Sequence, residues 1–261
     1  MGLTRLNYRN GSYKTVPQKI SLLAKASPTL EFYRQVVSIL FRGAGKAKRG
    51  RYDNEEWCKS SLEVLHALES VGIEVEINGA DNFTKIEGPC VFAANHMSTL
   101  ETFVLPVIIS PSKPATFVVK ESLVKYPVFG HIMRSRDPIT VGRTNPREDL
   151  TAVLQRGTEK LNAGISIIVF PQTTRYLDFD PKIFNTIGIK LARKACVPIV
   201  PVALKTDAWS NGKYLKDFGR IDPSKPVHFA FGRPQRITGR GTEEHKEIIR
   251  FIEKRLAEWT T

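Results

Sequence analysis

Cys90-Val-Phe-Ala-Ala94 is an apolar run that stops at a polar turn, Asn95-His96-Met-Ser-Thr-Leu-Glu101, and a second apolar stretch continues to Ile109. A short apolar run bounded by polar residues suits a strand buried on both faces, as in a parallel sheet. Runs of the same kind recur at 115–119, 139–141, 165–170, 199–204 and 227–231, and 73–77 alternates apolar and polar residues like a half-buried strand. Between them lie stretches of helical character at about 99–109, 121–134, 146–162 and 181–195, and a last amphipathic stretch covers about 243–259. Strand–helix alternation of this kind predicts an α/β fold with a mostly parallel central sheet flanked by helices.

Upstream of that body the charge changes. Residues 1–51 hold eleven lysines and arginines against the single acid Glu31, so most of the formal net charge of +13 sits there. Residues 1–28 carry turn formers (Asn10-Gly11, Pro17, Pro28) and read as an irregular arm. From Leu30 to Phe41 the polar residues fall three to four apart, which predicts an amphipathic helix with a broad apolar face. Phe32, Tyr33, Val36, Val37, Leu40 and Phe41 on that helix, with Lys46, Lys48 and Arg49 after it, have the composition of an anchor at an anionic membrane surface. A helix docked on the body, with solvated charges after it, is the plainer alternative. The expected division is a basic arm over 1–51 and a catalytic domain over 52–261. A second helix runs from Asn54 to about Val71. No window of roughly 18 apolar residues predicts a transmembrane helix, and no secretory segment follows the start. Cys58, Cys90 and Cys196 are sparse and odd in number, and suit packing in a reduced compartment better than a disulfide framework. Neither a metal-ligand cluster nor a glycine-rich phosphate loop is visible.

Working residues of open α/β sheets gather beyond the C-terminal ends of the strands. Three run ends carry unusual polar clusters: 95–101, 136–143 and 170–175. His96 and Glu101 are separated by five residues, about 500° of rotation on a continuous helix, so they share no helix face. They can meet only if His96 precedes the helix. Ser98-x-x-Glu101 is also a capping box, which places the helix start in that interval and gives Glu101 a purely structural alternative role.

The His96-x4-Glu101 pattern after an apolar strand resembles the first signature of the glycerolipid acyltransferases, which include the 1-acylglycerol-3-phosphate acyltransferases. Three further blocks follow in the family's order. Lys120-Glu-Ser-Leu-Val-Lys-Tyr-Pro127-Val-Phe-Gly130, and Arg143 beyond it, are similar to the second region. Phe170-Pro-Gln172-Thr173-Thr174-Arg175 is similar to a block usually written Phe-Pro-Glu-Gly-Thr-Arg. Val197-Pro-Ile-Val-Pro201-Val-Ala is similar to the fourth. Two departures stand out: Glu101 replaces the commoner aspartate, and Gln172-Thr173 replaces glutamate-glycine, which bears on the acceptor's identity more than on the reaction.

The resemblance implies an O-acyltransferase with no cofactor, using acyl-coenzyme A or acyl-carrier protein as co-substrate. It implies His96 as general base with Glu101 as its partner, and Lys120, Arg143, Gln172, Thr173, Thr174 and Arg175 at the acceptor, the arginines holding its phosphate. A hydrophobic groove for the acyl chain should run beside His96. The implied acceptor is a lysophospholipid, 1-acyl-sn-glycerol-3-phosphate foremost, and the implied location is the cytoplasmic face of a membrane, peripherally bound. Another lipid acceptor (a lipid A precursor, an ornithine lipid, a glycolipid) is the first alternative. A non-catalytic lipid- or nucleic-acid-binding module is the second, supported only by the basic arm, and no nucleic-acid partner is expected.

Overall fold

The computed structural model describes residues 4–212 and 216–260. Eight strands form its sheet: β1 (Tyr13–Lys14), β2 (Val75–Asn78), β3 (Val91–Ala94), β4 (Ala115–Lys120), β5 (Ile139–Val141), β6 (Ser166–Val169), β7 (Ile199–Lys205) and β8 (Val227–Phe231). The helices are α1 (Leu22–Ala26), α2 (Pro28–Lys48), α3 (Asn54–Ser70), α4 (Asp81–Thr84), α5 (Leu100–Ile109), α6 (Phe129–Ser135), α7 (Pro146–Asn162), α8 (Ile187–Lys194) and α9 (Thr242–Glu258). The strand order is β1-β2-β8-β7-β3-β6-β4-β5. Only β1–β2 and β7–β8 pair antiparallel; the other neighbours are parallel. The expected α/β class is therefore the observed one.

Both sheet faces are covered, and the period-2 alternation of side chains divides the core. Phe92, Ala94, Ile168, Val200 and Val202 face the side packed by α2, α3 and α5. Val91, Ala93, Ile167, Val169 and Ile199 face the side packed by α7, α8 and α9. That is why these strands read as unbroken apolar runs. The stretch 121–134 is broken: a 3-10 turn spans Glu121–Lys125 and α6 starts only at Phe129. Pro127 excludes the helical conformation from Tyr126, which is extended (φ −61°, ψ 142°). Gly130 is demanded by packing, because a Cβ there would sit 2.6 Å from the Val124 carbonyl oxygen. The stretch 181–195 is likewise split into a 3-10 turn (Pro181–Ile183) and α8.

The N-terminal stretch is tied to the body over its described residues: β1 extends the sheet, and Tyr13 and Thr15 hydroxyls donate to Glu69 of α3 at 2.6 and 2.8 Å. The helix predicted over 30–41 runs from Pro28 to Lys48 and packs on α3 and α6. Of the residues assigned to membrane contact, Phe32 and Val36 are buried in the core, and Tyr33 and Leu40 pack against it. Lys46 is paired with Glu56 of α3. Only Val37 and Phe41, with Leu30, leave apolar surface exposed on this helix, beside Lys48 and Arg49. The broad apolar face exists because a helix lying on a domain needs one to bury. Among the described residues, no helix is long and apolar enough to cross a membrane.

Candidate active site

Five parallel strands end on one edge, and each delivers a residue of interest there. His96 lies two positions past β3, the turn 170–175 follows β6, Lys120 ends β4, Arg143 lies two past β5, and Thr206 follows β7. The turn after β3 is pinned to β7 from both sides. Asn95 Nδ2 donates to the Leu204 carbonyl, and the Leu204 N–H donates back to Asn95 Oδ1, both at 2.8 Å. The turn after β6 holds it from the other direction: Gln172 Oε1 accepts from the His96 N–H at 2.8 Å, and the Tyr176 N–H donates to the His96 carbonyl at 2.9 Å.

His96 precedes α5, so the pair with Glu101 forms as the spacing requires: Nδ1 to Oε1 is 2.8 Å. The Glu101 carboxylate also accepts from the Met97 and Ser98 N–H groups at 2.7 and 3.0 Å, which braces the turn ahead of α5, and from Thr206 Oγ1 at 2.6 Å. Burial alone would raise the Glu101 carboxyl, but hydrogen bonds from His96, Thr206 and Met97, with the positive charge of His96 when its ring is protonated, outweigh it and hold it below the usual glutamate range. The positive end of α5 acts in the same sense. An ionised carboxylate only accepts, so the proton of neutral His96 sits on Nδ1 and Nε2 keeps a free lone pair. The ring stacks on Phe170 at 4.2 Å between centroids, which fixes its plane, and its side chain retains 14 % exposure. An oriented imidazole with one bare nitrogen is a general base.

His96 lies on a cavity of about 720 Å³. One part, lined by Leu40, Trp57, Phe103, Phe117, Phe129 and Met133, is apolar and runs between α2, α3 and α6. The other, beside Lys120, Arg143, Gln172, Thr173 and Lys190, is polar. Leu40, expected at a membrane, thus lines the cavity instead.

Of the residues expected at an acceptor, Lys120, Arg143, Gln172 and Thr173 meet at this cavity with His96. Arg143 is exposed, with left-handed backbone (φ 63°) stabilised by its N–H donating to Asp149 at 2.9 Å. Thr173 needs no glycine, since its φ is not in the left-handed region. Thr174 and Arg175 do not line the cavity. Arg175 donates to Asp217 at 2.7 Å and to the Thr99 hydroxyl, and its side chain is 15 % exposed. Sequence reasoning missed Asn95 as a clamp, Thr206, Phe170 as the stacking partner and Asp217. Phe170 stood inside a quoted block; Thr206 and Asp217 lie more than a hundred residues from His96 and carried no local signal.

Comparison with known proteins bears on the family and the fold. The family model described as Acyltransferase matches residues 74–205. The 1-acyl-sn-glycerol-3-phosphate acyltransferase of Pseudomonas aeruginosa is 27 % identical over 80 % of this chain and 77 % of its own length. The protein of the same name from Saccharomyces cerevisiae is 27 % identical over 70 % of this chain and 58 % of its own length. Among solved structures, the 1-acyl-sn-glycerophosphate acyltransferase from Thermotoga maritima superposes with a TM-score of 0.66 at 21 % identity, covering 89 % of this chain and 95 % of that one. That last likeness supports the fold.

Proposed function

The chain belongs to the acyltransferase family, and we propose that it moves a fatty acyl group from a thioester, on acyl-carrier protein or coenzyme A, to the hydroxyl of 1-acyl-sn-glycerol-3-phosphate at a membrane surface. The observation that carries this reading is the His96–Glu101 pair opening onto a cavity with one apolar and one cationic part. The names of the relatives supply the acceptor.

The alcohol is too weak a nucleophile at neutral pH to attack unaided. His96 Nε2 takes its proton as the oxygen bonds to the thioester carbon, and Glu101 stabilises the imidazolium that forms. The proton then goes to the departing thiolate. The apolar part of the cavity accommodates the acyl chain, while Lys120 and Arg143 attract a phosphate at the other part.

Leu30, Val37 and Phe41 form one stripe on α2, and Tyr33, on the same stripe, contacts exposed Phe218 with centroids 5.9 Å apart. An apolar stripe beside exposed Lys48 and Arg49 supports peripheral binding to an anionic leaflet, on its cytoplasmic face.

A second reading, with a different lipid acceptor, is favoured by Arg175. The cation expected to bind phosphate is neutralised by Asp217.

The test is thiol release from palmitoyl-coenzyme A by purified protein with lysophosphatidate in anionic vesicles. Wild type is expected to release thiol only with acceptor present, and His96→Ala to lose about 10²–10⁴-fold in rate. Equal activity of the two proteins would sink the base assignment. Activity with palmitoyl-acyl-carrier protein alone would identify the donor, and activity only with another lipid alcohol would favour the second reading.

A further inference from the structure

Lys190 lies outside every sequence block singled out above, yet it lines the same cavity as His96, on the polar part beside Lys120 and Arg143. The fold explains how it arrives there. α8 presses on the strands just ahead of the working turns: a Cβ on Gly188 would lie 3.2 Å from Val169 and 3.5 Å from Ala93. The start of α8 is tied to the turn after β6, where the Asn185 N–H donates to the Pro171 carbonyl at 3.4 Å. Side chains of a helix lean toward its N-terminus, so Lys190, on the first turns of α8, leans back toward the working edge.

The three cations are not balanced by the chain. Asp149 is the one acid among the described residues that line the cavity, and its two oxygens accept from the Gly142 and Arg143 N–H groups, both at 2.9 Å. Among the described residues, no acid comes within ion-pair distance of the Lys120, Arg143 or Lys190 side chain. α8 has no acid in its first turn, so the positive end of its dipole adds to the same field. Burial pushes the Arg143 guanidinium below its ordinary range, and the nearby charge of Arg175 acts in the same sense, with Asp149 opposing. Cations gathered at one cavity without counter-charge repel one another, and a bound anion relieves that repulsion.

We propose that Lys190 sets the preference for an acceptor carrying a phosphate monoester, completing with Lys120 and Arg143 a three-cation clamp in place of Arg175, which Asp217 occupies. The inference rests on the acyl-transfer reading above. A phosphate monoester carries about −1.5 to −2 charge at neutral pH and offers three acceptor oxygens. A phosphodiester headgroup has a single negative charge and fewer free oxygens, so a third cation favours the monoester. The acceptor is the substrate that brings phosphate this close to His96. In 1-acyl-sn-glycerol-3-phosphate the phosphorus stands four bonds from the attacking hydroxyl oxygen, whereas the phosphates of coenzyme A or a carrier protein lie beyond a pantetheine arm. A compact charge on a flexible stem can follow a phosphate that arrives on a mobile lipid.

Lys190→Met keeps the length and the apolar stem and removes the charge. In the palmitoyl-coenzyme A assay its KM for lysophosphatidate is expected to rise about tenfold, with kcat and the KM for palmitoyl-coenzyme A within about twofold of wild type. Lys190→Arg should recover most of the loss. Glycerol 3-phosphate, which is soluble and independent of vesicle binding, should compete with lysophosphatidate in the wild type and about tenfold more weakly in Lys190→Met. Lys194→Met removes an equal charge one turn further along α8, away from the cavity, and should change neither value. A Lys190→Met protein with wild-type KM for lysophosphatidate overturns the proposal. So does a rise confined to the KM for palmitoyl-coenzyme A, or an equal effect of Lys194→Met. With wild type active on lysophosphatidate and His96→Ala inactive, each of these results fails this inference alone. A wild type that acylates only lipid alcohols lacking phosphate, or releases no thiol from any acyl thioester, overturns both readings.

Discussion

The turn after β3 and the turn after β6 lie side by side at the working edge of the sheet, and they treat their charged groups differently. In the first, Glu101 is wholly buried and accepts from the His96 ring, two backbone N–H groups and Thr206, so of its contacts it is the His96 ring that carries its effect to the cavity. In the second, Arg175 pairs with Asp217 away from the cavity, and the unspent polar group is the neutral amide of Gln172. The first turn has its carboxylate satisfied within the chain, whereas the second keeps a buried amide nitrogen without an acceptor among the described residues, so changes there should alter substrate use before they alter stability.

The largest effect that would break this contrast comes from Glu101→Gln. Its amide can present a donor to Nδ1 and favour the wrong imidazole tautomer, so kcat is expected to fall by about 10²–10⁴-fold with little change in KM. A loss confined to KM in the thiol-release assay would mean that Glu101 serves only to brace the turn.

Thr206→Val tests the completeness of the first turn through stability. It removes one hydrogen bond to a buried carboxylate, and urea unfolding at neutral pH should show a loss of about 1.5–3 kcal/mol. The pH dependence has a definite sign. A folded-state carboxyl held below its ordinary value of 4.5 contributes its stability fully above that value and loses it as pH falls through the folded value. The gap between wild type and Thr206→Val should therefore be full at pH 6–7 and close at pH values below the ordinary glutamate range. A gap independent of pH would place the effect in packing instead.

Asp217→Asn acts on the second turn and should be the mildest. The pair is partly exposed, so its coupling is worth about 1 kcal/mol or less. Freeing Arg175 is expected to lower KM for a phosphate-bearing acceptor by a few fold and to leave a neutral acceptor unchanged. An increase in KM for lysophosphatidate would show instead that Asp217 holds Arg175 in its productive position.

The N-terminal helix offers a different lesson. Its apolar pattern predicted the helix itself, yet pattern alone could not say what covers the apolar face. Phe32 and Val36 bury against the body, Leu40 lines the cavity, and only Leu30, Val37 and Phe41 remain outside. A helical period records that one side avoids water, and water is avoided equally well against a protein core or a lipid surface.

The sequence by itself determined the sheet strands of the body, because a strand covered on both faces must be apolar at every position. It also set the condition under which His96 and Glu101 meet, that His96 precede α5, and the helix does begin after it, at Leu100. Tertiary structure alone decided how the remaining groups are used. Thr206 reaches Glu101 and Asp217 reaches Arg175 only because β7 lies next to β3 and the chain beyond β7 returns over the turn after β6. Those contacts join residues 105 and 42 positions apart, respectively, and no local periodicity records them. The unpaired amide nitrogen of Gln172 has the same origin: the side-chain oxygen is claimed by a backbone N–H on another strand's turn, and the nitrogen is left buried without an acceptor among the described residues.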